Sequence, residues 1–302
     1  RDGLRTGVDV SFAQTGTPEK FGENLENAKM IRKTTVVLLL FTGTAFSGFC
    51  ELVSNEPIVG VIRWDAWNEW GYFQKFLQPI EWRDRLPFFA RVDDSGQVSF
   101  REDVPEIIDR EIDLASKAGL DFWAFVWYHP DGWEKSRLMM RCMDLYLASG
   151  KRNQIRFALI LQGGHLGSRS EWEKTTALLS ELMSKDTYQR VLGNRPLLFL
   201  FSIEDAVKFF ESEEACNKAL RQLRQAVQKR SQADPYIAGM VFEPEKGLKF
   251  LSSLGLDAVS AYSNPPYGFS RKEFPYEHQM QLNYSFWVEC KRLGVPLIPT
   301  VN

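Results

Sequence analysis

Residues 104–129, VPEIIDREIDLASKAGLDFWAFVWYH, carry the choice of fold. From Val104 to Ala118 the apolar side chains recur at intervals of three and four, which is the period of a helix buried along one stripe. Gly119 stops the pattern. Leu120 to His129 then place hydrophobic residues at odd and even positions alike, as in a strand covered on both faces.

This helix-then-strand unit recurs along the chain. A helix at Ser136–Ser149 precedes IRFALILQ (Ile155–Gln162), and one at Glu171–Lys185 precedes PLLFLF (Pro196–Phe201). A helix at Glu213–Arg230 precedes IAGMVF (Ile237–Phe242), and one at Glu245–Leu254 precedes LDAVSAY (Leu256–Tyr262). A last helix at Tyr276–Leu293 precedes VPLIPTV (Val295–Val301). With Val59–Ile62 at the front, seven strands alternate with helices, which predicts an α/β fold with a parallel sheet. The expected architecture is a (β/α)8 TIM barrel over 58–302, incomplete at the C-terminus, because the chain reaches Asn302 at the end of the seventh strand. An open doubly wound sheet is the alternative. No strand is followed by G-x-G-x-x-G or a P-loop, and Gly163-Gly164 is a lone doublet.

The bulk numbers narrow the function. Of 302 residues, 44% are hydrophobic and 25% charged, with a net charge of -2, so no basic stripe argues for nucleic acid. The basic run RQLRQAVQKR (Arg221–Arg230) has helical spacing and reads as a solvated helix face. Cys50, Cys142, Cys216 and Cys290 are far apart and form no C-x-x-C, which excludes a zinc knuckle or dithiol motif. The last three read as buried thiols.

The N-terminal region has its own grammar. Residues 1–29 are polar and aperiodic and read as a non-structural upstream segment. Residues 30–50, MIRKTTVVLLLFTGTAFSGFC, run from basic to apolar to small residues and a cysteine, which is the shape of a secretory signal. The apolar part is below the ~20 residues needed to span a bilayer. Cleavage after Ser47 satisfies a small-x-small rule. A lipid anchor at Cys50 is a variant of this reading, although Phe49 is bulky for a lipobox. The expected location is therefore secreted, periplasmic or an outer-surface lipoprotein of a bacterium.

In such barrels the functional groups stand at the C-terminal ends of the strands. There the chain places Arg63, Trp64, Asp65 and Trp67; Trp127, Tyr128, His129 and Asp131; Gln162 and His165; Ser202 and Glu204; Glu243; Tyr262 and Asn264; Thr300 and Asn302. Indole and phenol rings suit the apolar face of a sugar, and planar polar groups suit its hydroxyls. A metal hydrolase fits poorly, since no H-x-H follows the first strand and the chain has three histidines. Some positions carry two readings. Trp127 alternates with Trp123 and Phe125 and is core or rim; His129 and His165 are loop caps or ligand contacts. Glu243 precedes Pro244 and can cap the next helix, as Glu204 and Asp205 can cap theirs.

Three stretches, DREIDLASKAGLDFWAFVWYHPDG (Asp109–Gly132), LMMRCMDLYLASGKRNQIRFALILQGG (Leu138–Gly164) and TYQRVLGNRPLLFLF (Thr187–Phe201), together resemble the glycoside hydrolase family 99-like, or WbsX-like, proteins. The resemblance spans residues 58 to 302. It implies a TIM barrel that acts on α-linked mannosides or related polysaccharides, with two glutamates three residues apart after the last strand. Glycosidases need two carboxyl groups, one with a raised pKa. WNEW at Trp67–Trp70 imitates that motif but follows the first strand, and Tyr72 stands where the second glutamate would be. The catalytic pair is therefore expected beyond Asn302. Asp65, Trp127, Tyr128, His129 and Gln162 match the family's sugar-binding side, and Trp67 and Glu243 complete the expected substrate-binding set. The partner is an oligosaccharide or polysaccharide, with no cofactor and no metal. Two alternatives stay open: a non-catalytic carbohydrate-binding (lipo)protein on the same barrel, and a polysaccharide-biosynthesis protein.

Overall fold

The computed structural model describes residues 57–68, 71, 73–263 and 275–301. The upstream segment, the signal reading and Cys50 lie outside the described residues, as do Glu69, Trp70, Tyr72, Asn264 and Asn302. Among the described residues no helix is long and apolar enough to cross a membrane.

The opening unit forms as its pattern dictates. Helix α1 (Pro105–Lys117) starts with Pro105, whose ring fixes a helical φ, and buries Ile108, Ile112 and Ala115. Gly119, at φ +81°, reverses the chain. Strand β4 (Phe122–Trp127) is buried at all six positions.

The sheet grows outward from this strand. It pairs in parallel with β1 (Gly60–Arg63) on one side and β5 (Arg156–Gln162) on the other. Then come β7 (Arg195–Phe201), β8 (Tyr236–Met240) and β9 (Ala258–Ser260), giving the order β1-β4-β5-β7-β8-β9. A short β6 (Arg190–Val191) adds antiparallel to β7, and β2 (Arg91–Val92) with β3 (Val98–Ser99) makes a separate hairpin. Helices α2 (Ser136–Met139), α3 (Arg141–Ala148), α4 (Trp172–Met183), α5 (Ile203–Phe210), α6 (Glu213–Ser231), α7 (Pro244–Leu254) and α8 (Tyr276–Arg292) flank the sheet. The parallel sheet curls into a half-barrel, an incomplete (β/α) TIM barrel.

Three details differ from expectation. The segment Val295–Val301 contributes one parallel bridge, Val259 to Leu297, rather than a strand. Pro296 and Pro299 have no N–H to give a ladder, which limits the pairing. The helix expected over Ser136–Ser149 divides at Met140 into α2 and α3. In the basic run, Arg224 is not a solvated residue. Its guanidinium meets Asp234 at 2.6 Å and Asp257 at 2.7 Å, and Arg195 meets the same two acids at 2.9 and 2.7 Å. This ring joins α6 to the starts of β7 and β9, the end of the barrel associated with stability.

Buried Tyr188 ties β5 to β7 across their outer side. Its Oη accepts from Leu159 N at 3.2 Å and donates to Leu197 O at 2.8 Å. Tyr188→Phe leaves an amide and a carbonyl short of a partner, at a cost of about 1–3 kcal/mol. Thermal unfolding should show a drop of several degrees, and an unchanged midpoint would contradict the role.

Candidate functional site

Strand register decides which side chains reach the barrel mouth. Trp123 and Phe125 pack edge-on or tilted against Tyr146 of α3, at 5.8 and 5.6 Å, so this set faces the helices. Successive strand residues alternate sides, so Phe122, Ala124, Val126 and then Tyr128 face the barrel axis. Gly60, the register partner of Phe122, confirms the crowding there: a Cβ on Gly60 would lie 2.2 Å from the Phe122 ring. Across the sheet, Trp127 pairs with Leu161 and Gln162 with Phe201, which brings Tyr128, Gln162 and Phe201 to one level.

At that level stands an aromatic and neutral polar rim. Trp64, 44% exposed, donates from Nε1 to Tyr128 Oη at 3.0 Å. Tyr128, Trp133 and His165 form a triangle with ring centres 5.4 to 5.7 Å apart. Phe201 stacks on Tyr262 at 4.7 Å with 30° between planes. Ser202 Oγ approaches Gln162 Oε1 at 3.5 Å. His165 Nδ1 is buried without a hydrogen-bond partner. Burial raises the pKa of Tyr128 and of Tyr262, so both phenols remain protonated donors.

The residues expected from sequence divide between this rim and other places. Tyr128 and Gln162 belong to it. Trp127, one residue away, is 2% exposed, on the helix-facing side and edge-on to His129 at 6.0 Å. His129 accepts from Asp131 N at Nδ1 (3.1 Å) and gives its own N–H to His165 O (3.0 Å), so it shapes the turn that carries His165. Trp67 lies against Phe89 and Phe100. Glu243 is exposed at the N-cap of α7, makes no side-chain cap bond and pairs with Lys246 at 2.8 Å. Trp133 and Phe201 escaped the sequence reading. Phe201 ends its strand and comes level with Gln162 only through the sheet register; Trp133 sits in an irregular loop that has no period to count.

Asp65 goes elsewhere. It is 5% exposed and accepts from Arg63 Nε at 2.6 Å, while Arg63 Nη2 reaches Glu111 at 2.8 Å. Arg63 lies over the faces of Trp123 and Phe125, on the helix side of the sheet. Glu102, also buried, accepts from Trp67 N at 3.1 Å. Burial pushes the Asp65 carboxyl up to about 6, against the pull of Arg63. Burial, then the neighbouring Asp65, pushes Glu102 up to about 8. Cys142 is raised too, chiefly by burial, and stays a thiol. Among the described residues, Asp65, Glu102 and Cys142 bring three donor atoms of metal-binding type within 4.8 Å of one another. Arg63 already supplies positive charge beside Asp65, so the group reads as two buried carboxyls and a thiol next to one guanidinium.

No family model matches the chain, and no curated protein matches it. Among solved structures it is similar to the GH99 endo-alpha-mannosidase from Bacteroides thetaiotaomicron at 15% identity and TM-score 0.44, over 69% of this chain and 56% of that one. The same enzyme in complex with BIS-TRIS-Propane gives 14% and 0.43, over 69% and 59%. The chain thus spans less than two thirds of the mannosidase's length. A glycoside hydrolase-like protein is similar at 17% identity and TM-score 0.53, over 81% of this chain and 70% of that one. The half-barrel therefore has the fold of a glycoside hydrolase-like protein.

Proposed function

We propose that this chain belongs to a glycoside hydrolase-like protein that holds a saccharide at the C-terminal ends of its parallel strands. The carrying observation is the rim of Trp64, Tyr128, Trp133, His165, Gln162, Phe201 and Tyr262. A sugar's C–H face packs on such rings, and amphipathic Tyr and Trp add polar handles. Trp64 fills an acceptor site on Tyr128 Oη, which leaves the phenol proton to donate to a ligand oxygen. Gln162 offers both a donor and an acceptor beside it. α-Linked mannosides or related polysaccharides are the substrate class suggested by the sequence resemblance, and hydrolysis follows if the paired glutamates of that family stand after the last strand. Export from the Met30 signal is part of the same proposal.

A second reading, carbohydrate binding without cleavage, is favoured by the state of the strand-end acids. Asp65 is bound to Arg63, Glu243 to Lys246, and Glu204 lies 4.0 Å from the same lysine. Purified protein titrated with α-manno-oligosaccharides should show quenched tryptophan fluorescence. Trp64→Ala and Gln162→Ala should each weaken binding by roughly tenfold with an unchanged melting point. Parent-level affinity in both variants would refute the rim. Release of reducing ends from mannan separates the two readings, since only the hydrolase produces them.

A further inference from the structure

The segment between β1 and α1 builds a second concavity, apart from the rim. After short 3-10 helical stretches at Gln74–Phe76 and Ile80–Arg85, the chain forms the β2–β3 hairpin and returns to the start of α1. Between hairpin and helix lies a cavity of about 490 Å3. One wall is apolar, lined by half-buried Phe89 and by Phe100, which is 3% exposed; both rings pack against Trp67 at 6.1 and 5.5 Å. Gln74, Arg91, Ser99 and Arg101 supply the polar lining.

The two arginines are in different states. Arg101 is committed: its Nε and Nη2 donate to the two oxygens of Asp103 at 2.9 Å, and Arg141 meets that carboxylate as well. Asp103 is thereby fully engaged. Arg91 is exposed, and its guanidinium has no hydrogen-bond or ion-pair partner among the described residues. Gln74 spends its Nε2 on Phe100 O at 2.8 Å and keeps its side-chain oxygen.

We propose that this cavity binds a carboxylate-bearing sugar unit, a uronic acid within a polysaccharide, with its ring on Phe89 and its carboxylate on Arg91. The planar fork of an arginine matches a carboxylate in bidentate fashion, which a neutral sugar cannot use. The aromatic wall suits the apolar face of a pyranose, which an inorganic anion cannot use. Ser99 and Gln74 stand ready for hydroxyl groups, and the volume lies in the range of small-ligand pockets. The site serves to hold an acidic polysaccharide and requires no chemistry of its own. It is independent of the neutral rim.

Calorimetric titration tests it with an oligogalacturonate, a neutral manno-oligosaccharide of equal length, sodium acetate and inorganic phosphate. The oligogalacturonate should bind, and Arg91→Ala should weaken it by about tenfold or more. Arg91→Lys should fall between, because it keeps the charge and loses the fork. Trp64→Ala should leave this binding unchanged, which separates the cavity from the rim. Three results would each overturn the proposal: equal affinity in Arg91→Ala, competition by acetate or phosphate at the same concentration as the oligomer, or loss of binding in Trp64→Ala.

Discussion

Arg63→Met should lower stability by about 3–5 kcal/mol at pH 7, the cost of removing one partner from a buried ion pair. In thermal unfolding that is a fall of about 10 °C for a domain of this size. Arg63 donates to Asp65 and Glu111 and lies 4.4 Å over the Trp123 ring, with its side chain 11% exposed. Burial works against the guanidinium's charge, but Asp65 and Glu111 together hold it protonated. Methionine keeps an unbranched stem but loses the guanidinium that lies over the indole, so the measured loss combines the ion pairs with that contact. Asp65 would then stay buried without its counter-charge and would take up a proton. The penalty should therefore shrink at pH 5, where Asp65 and Glu102 are protonated in any case. A loss below about 1 kcal/mol that does not vary with pH would show that the guanidinium is not the group compensating these acids.

Glu102→Gln should act in the opposite direction, increasingly as pH rises above 4.5. In the folded protein the Glu102 carboxyl is raised from 4.5 to about 8, first by burial and then by Asp65, while Arg63 and the Trp67 N–H oppose the rise. Between those values the native state holds a proton that the unfolded chain has released. The associated stability is complete below pH 4.5 and is lost as pH rises through about 8. Glutamine cannot ionise, and its amide oxygen can still accept from Trp67 N. The variant should match the parent within about 0.5 kcal/mol at pH 5 and exceed it by at least about 1 kcal/mol at pH 9. Denaturant midpoints at the two pH values decide it. Equal midpoints at pH 9 would mean that Glu102 does not hold a proton in the folded protein at neutral pH.

The legibility of the sequence varied with the kind of question. Element type was readable wherever one face or both faces are apolar over a long run, as in α1 and β4. Val295–Val301 looked like a strand because its residues are apolar, yet two prolines remove the ladder donors, and one bridge remains. Arg224 looked solvated because helical spacing describes the helix alone; the acids that bind it come from Asp234 and Asp257 beyond that helix. The same limit hid the buried cluster, since Glu102 and Glu111 lie far along the chain from Arg63 and meet it only when α1 packs beside β1.

Sequence by itself determined the alternation of helix and strand, the parallel sheet and the set of strand-end residues from which any mouth had to be built. Tertiary structure alone decided which members of that set face the mouth. Trp127 and Tyr128 are neighbours on a strand whose two faces are both buried, so hydrophobicity cannot say which parity points to the axis. The packing of Trp123 and Phe125 on Tyr146 settles it, sending Tyr128 to the rim and Trp127 to the helices. Asp65 likewise has the residue type for a sugar contact, but Arg63, stacked on the outer face of the same sheet, draws its carboxylate into the protein.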